Sequence, residues 1–402
     1  MKQIYAKSQV TILIVIGLLL FIVVGLVLYL TKSAIKKPIQ QNVEQIQETA
    51  IDVQPIKEFV NECLNKLSKD ALVLIGKQGG VIYNSQGGTL VDHPETDEGI
   101  FFVNHNNYKV AYNIKQPPTY SIFPYASNIP NYPWITFPYI TKDSDEQVFY
   151  GFFGVGNIPP LTPTNGPNSM QTQIEAYIDN NMGKCIDIST FEKQDYQVEV
   201  NKSKTQSIIG SEDVRIRSII PIKIINKATN EFTHLEEFST VLNVRLRIFY
   251  SFIRQLVEED ISNIKFNIIN PNNDRDSMSV SLIQNVNSND DIVVMTDAKS
   301  LIYGKPFEYV FARQNRRPSL YYLRHDVIRF PHDYVIQQSD ILQGQTLKAE
   351  DPDEDDHYIT ISPLESDVSI PALLNKPEIR FKVEVSDGQL TDHQIITIIR
   401  EQ

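Results

Sequence analysis

Residues 214–224, VRIRSIIPIKI, place Val214, Ile216, Ile220, Ile222 and Ile224 on one side and mostly charged or polar side chains on the other. A period of two predicts a strand with one buried face. YQVEV, just upstream at 196–200, alternates in the same way. Downstream, RLRIFYSFIRQLVEEDI (245–261) returns to helical spacing through Leu246, Phe249, Phe252, Ile253 and Leu256. DIVVMTD (291–297) and PFEYVFARQN (306–315) then read as further strands. Helices and strands in irregular order predict an α+β body over 55–325 rather than a regular βαβ alternation.

Two helices are expected ahead of this β-rich part. Pro55–Ile75 carries Ile56, Phe59, Val60, Cys63, Leu64, Leu67, Ala71, Leu72 and Ile75 as one apolar stripe, ended by Gly76, after which GKQGGVIY turns into a strand. Gln171–Ile186 carries Ile174, Tyr177, Ile178, Cys185 and Ile186 on one side. Cys63 and Cys185 are the chain's only cysteines, too few for a disulfide scaffold or a zinc module. Each sits on a core-facing helical stripe, so either a disulfide joins the two helices or both are buried thiols; an oxidising compartment selects the bond. Between the helices, residues 116–139 and 148–163 are rich in Pro and aromatics and hold Trp134. They read as long loops pinned to the body, or as an aromatic binding platform.

Val10–Leu30 is a run of 21 uncharged residues. As a helix it reaches roughly 31 Å, enough to cross a hydrocarbon core. Residues 1–31 are therefore expected to attach the chain to a membrane, with the body outside the cytoplasm. Lys2 and Lys7 before the run and Lys32, Lys36 and Lys37 after it nearly balance. Residues 32–54 read as a helical stalk, with Ile39, Val43, Ile46, Ala50 and Val53 at heptad-like steps over about two heptads.

The segment AKSQVTILIVIG (6–17) resembles the class III signal peptides of archaeal pilin-like proteins. The resemblance implies cleavage between Ser8 and Gln9; Leu13 stands where type IV pilins commonly carry Glu. VNECLNKLSKDALVLIGKQGG and EYVFARQNRRP are similar to a group of membrane-anchored proteins in small-genome archaea, a likeness that implies location but no activity.

The texture changes again over 330–402. In IRFKVEVSDGQLTDHQIITIIREQ, Phe381, Val383 and Val385 alternate with Lys382 and Glu384. Asp387-Gly388 reads as a tight turn with φ > 0, and Ile396 and Ile398 line the return. Together with LKAEDPDEDDHYITIS this resembles cadherin-like and related Ig-like extracellular modules, through Ala349, Asp351, Asp353, Val385, Asp387 and Gly388. The resemblance implies a small all-β sandwich and a calcium site, with Asp351, Asp353, Asp355 and Asp387 as ligands and Asp356 beside them. The alternative is a solvated acidic turn.

Net charge is −12, with 37 Lys+Arg against 49 Asp+Glu. A nucleic-acid surface needs a basic stripe, so that class of partner is excluded. The seven histidines are scattered, and no HExxH, G-x-S-x-G, P-loop or Rossmann pattern occurs. One sequon, Asn201-Lys202-Ser203, offers a glycosylation site on an extracytoplasmic face. The reading is of a non-enzymatic, membrane-anchored surface protein with a binding or adhesion role. A pilin-like filament subunit is the structural alternative, and an envelope hydrolase using carboxylates is a more distant one.

Overall fold

The computed structural model describes residues 53–91, 102–116, 153–164, 168–187, 196–287, 289–321, 327–335, 337–342, 346–364 and 376–401. The expected membrane segment 10–30, the Ser8–Gln9 processing site, the stalk up to residue 52 and the aromatic stretch 117–152 lie outside the described residues. Within them no helix is long and apolar enough to cross a membrane.

The described chain is mostly β with few helices, which shifts the expected α+β balance of the body toward strand. Helix α1 (Gln54–Lys77) starts with Pro55 in its first turn, where the missing N–H costs nothing, and has Lys77 in its last. Its stripe is buried as expected from Ile56 through Ile75, apart from Phe59, which is half-buried. The strand expected after it is absent: Tyr83 makes one bridge to Leu90 around a 3₁₀ turn at Asn84–Gln86. Gly80, at φ +87°, lets the chain turn there; a Cβ would lie 2.6 Å from Met170 and 2.8 Å from the Tyr309 hydroxyl.

A hairpin of β1 (Phe102–His105) and β2 (Tyr108–Lys115) turns on Asn106 and Asn107, both with positive φ. After the short β3 (Val155–Gly156), α2 spans Met170–Cys185, its first turn capped by the Ser169 hydroxyl accepting from Thr172 N. A four-stranded sheet follows, made of β4 (Tyr196–Val200), β5 (Lys204–Ile209), β6 (Val214–Asn226) and β7 (Phe232–Leu242). β6 is its centre: β5 and β4 share one edge in succession and β7 takes the other. The β6 residues expected on one face are all buried. Pro221 falls where the β6–β7 register shifts, so its lack of an N–H breaks no ladder.

Helix α3 (Leu246–Ser262) and strands β8 (Met278–Asn287), β9 (Asp290–Ile302) and β10 (Lys305–Arg313) complete the body. The second sheet runs β1-β2-β10-β9-β8, with β3 on β2 and β10 parallel to β2. α1 packs against β7, β10 and α2, so one apolar core fills the space between the sheets.

Cys63 on α1 and Cys185 on α2 form a disulfide, with Cα atoms 5.8 Å apart across a separation of 122 residues. A cross-link closing a loop of this length is expected to stabilise the fold by about 4–5 kcal/mol. Urea unfolding of the oxidised protein against the Cys63→Ser/Cys185→Ser pair checks this; coincident curves would show the link to be energetically idle.

The C-terminal part has its own core around Leu320, Ile328, Phe381, Val383, Val385, Ile396 and Ile398. β12 (Val327–Phe330) runs parallel to β16 (Thr391–Arg400), which pairs with β15 (Glu378–Ser386), and β15 with β14 (Tyr358–Pro363). A two-stranded ladder of β11 (Ser319–Leu320) and β13 (Ala349–Glu350) packs on β15 and β16. This core thus reaches back to Leu320, ahead of the segment 330–402 in which the sequence suggests it. The turn after β15 also differs from expectation. Only Gly388 has positive φ, while the Asp387 carboxylate closes the turn by accepting from Gln389 and Leu390 N–H, each at 2.6 Å.

Candidate functional site

The acidic loop 351–357 leaves β13 and folds back against the body. Glu354 adopts a positive φ of 63°, and its N–H donates to the Asp351 carbonyl. Asp351 Oδ1 accepts from the N–H groups of Asp353 (2.8 Å) and Asp355 (3.4 Å). This local capping turns the side chain of Asp353 inward, where it is 2% exposed.

Asp353 meets two arginines of the body there. Its Oδ1 accepts from Arg316 Nε (3.0 Å) and Nη2 (2.7 Å) and lies 3.2 Å from Arg313 Nε; its Oδ2 accepts from the Arg316 backbone N–H at 2.6 Å. Arg313, the last residue of β10, also reaches Asp291 Oδ2 of β9 (2.6 Å) and Asp260 Oδ1 of α3 (3.3 Å). Arg316 Nη2 lies 2.9 Å from Asp260 Oδ2 and donates to the Pro352 carbonyl. All five side chains are buried. A helix, two strands and two loops therefore converge on one ion network at the junction of the two cores.

Burial pulls Arg313 and Arg316 toward the neutral form. The surrounding carboxylates, Asp353 and Asp260 foremost, outweigh it and hold both guanidiniums charged above their ordinary value. Burial raises Asp260 and Asp291 despite the arginines beside them. On the loop, burial together with the negative charge of Asp353 pushes Asp351 up to about 7 and Asp355 up to about 6. Each of these two keeps one buried Oδ2 without a hydrogen-bond donor.

The four carboxylates expected to hold calcium are thus brought near one another, but each has a different employment. Asp353 is fully engaged by guanidinium and backbone donors. Asp387 accepts from its own turn through Oδ1 and from Asn315 Nδ2 through Oδ2, at 3.1 Å. Only Asp351 and Asp355 retain free oxygens, and Asp356 faces solvent. Among the described residues no three His, Cys, Asp or Glu side chains are grouped to hold a metal ion. The expected set does not fit calcium, because cationic side chains already occupy its central carboxylate. Beside the network lies an open cleft of about 450 Å³, lined among others by Lys265, Glu350, Asp351, Glu354, Asp356 and His357, and bridged by a 3.1 Å Lys265–Glu350 ion pair.

Asn201 is exposed in the connection between β4 and β5, and its backbone N–H donates to the Pro221 carbonyl. Sequence reasoning does not single out Arg313, Arg316, Asp260, Asp291 or Asn315. One signal was available: Arg313 shares the parity of Phe307, Tyr309 and Phe311 in β10, which marks a cation on a buried face. Comparisons with protein-family models, curated proteins and solved structures return no match.

Proposed function

We propose that the protein is a membrane-attached surface protein, held through residues 10–30, whose body and C-terminal β-module bind a protein partner or a second copy outside the cytoplasm. The Cys63–Cys185 bond carries this reading, because disulfides persist in oxidising compartments and are rare in a reducing cytosol. The exposed sequon at Asn201 and the acidic net charge agree with it.

Protease treatment of intact cells is expected to release a fragment containing 55–402. A body protected until the cells are lysed would overturn the topology. The AKSQ segment favours one more specific form of the reading, in which a pilin-type peptidase cuts after Ser8 and the apolar helix assembles into a filament. Mass spectrometry of the mature N-terminus separates the two: Gln9 supports assembly, Met1 a plain anchor.

A further inference from the structure

We infer that Arg313 and Arg316 are the built-in cation of the junction, seating the C-terminal module on the body without a divalent ion. The main core of the body and the core of the module are separate apolar clusters, and polar ties join the two parts at the junction. The central element of that polar link is Asp353. It comes from the module's loop, yet both its oxygens are satisfied by donors of the chain segment leaving β10. Arg316 is 1% exposed and also donates to the carbonyls of Asp260 and Pro352, so its planar fork is fixed from both sides of the junction. Gly154 leaves the room it needs: a Cβ there would sit 3.3 Å from Arg316 Nη1. Asn315, between the two arginines, adds a second tie through Asp387 in the turn after β15.

A calcium ion in an acidic loop neutralises several carboxylates and fixes their relative positions. The guanidinium pair does the same here for Asp260, Asp291 and Asp353, and being covalently tethered it cannot be chelated away. This inference is independent of where the protein resides, so it survives if the topology proposed above is wrong.

The test uses the full chain in a non-ionic detergent, with hydrogen-exchange mass spectrometry read on peptides from 290–302 in the body and 378–400 in the module. In the wild type, protection of both is expected to be the same in calcium and in chelator. Asp353→Asn removes the charge with little change of shape and should speed exchange in 378–400 more than tenfold while 290–302 stays protected. Arg316→Met should do likewise, and the double variant should be no worse than the worse single one. Asp356→Asn, on the exposed side of the loop, should change nothing. Loss of module protection in chelator by the wild type, or an Asp353→Asn module as protected as the wild type, would overturn the inference.

Discussion

Arg313→Met is expected to lower the free energy of unfolding by about 3–5 kcal/mol, the usual loss when one partner of a buried ion network is removed. The guanidinium contacts Asp260, Asp291 and Asp353, and Asp291 receives its shortest donor, at 2.6 Å, from this residue alone. Without it, Arg316 is left as the single buried cation among three buried carboxylates. These carboxylates must take up protons or draw water into the junction. In a chain of this size such a loss lowers the melting temperature on the order of 10 °C. Calorimetry at neutral pH gives the number. A shift of a degree or two would mean that solvent already screens the network and that its burial is nominal.

Stability is also expected to fall as pH rises from 5 to 8, against the common trend for proteins rich in paired carboxylates. The sign follows from three groups. Asp351 and Asp392 are each 4% exposed, and burial lifts both to about 7; half-buried Asp355 is lifted to about 6. In the unfolded chain all three return to the ordinary carboxylate value of 3.8. Between these limits the native state holds more protons than the unfolded one, so stabilisation is present at the acid end and is lost as each folded-state value is passed. For Asp351 and Asp392 this amounts to on the order of 2 kcal/mol each over the window; Asp355, reached by solvent, contributes less. Urea unfolding at intervals from pH 5 to 8 measures the slope. Asp351→Asn and Asp392→Asn should each flatten it, since an amide keeps the acceptors for the Asp353 and Leu320 N–H groups without titrating. A protein more stable at pH 8 than at pH 5 would refute the assignment.

What the sequence made legible was periodic. The alternation in β6 and β15, the stripes of α1 and α2 and the placing of one cysteine on each stripe followed from side-chain spacing, while the bond between the cysteines also needed an oxidising compartment. The β1–β2 hairpin escaped because its turn is Asn106-Asn107, a weaker signal than Asn-Gly. β8 escaped because its residues are largely polar or exposed, as befits a strand at a sheet edge. The junction was illegible for a different reason. Asp353 looks the same in a sequence whether it faces water, an ion or an arginine 37 positions away. Which of these it meets depends on where β10 ends relative to the acidic loop, a tertiary fact with no local signature. The acidic motif drew attention to the right loop, and the cation that answers it lay in RQNRRP.

The parallel pairing of β2 with β10 sets an order of events during synthesis. Tyr112 finds its partner in Ala312, two hundred positions later in the chain. At ordinary elongation rates that interval is roughly 10–40 s, far longer than a hairpin or helix needs to form. Helices α1 and α2, their cysteines and the whole β4–β7 sheet emerge first. Through that wait the edge of β2 that β10 covers has no partner among the described strands, and the end of α1 lacks the cover that Phe307 later gives Gly76. The sheet that β2 begins can therefore close only once residue 313 has been made.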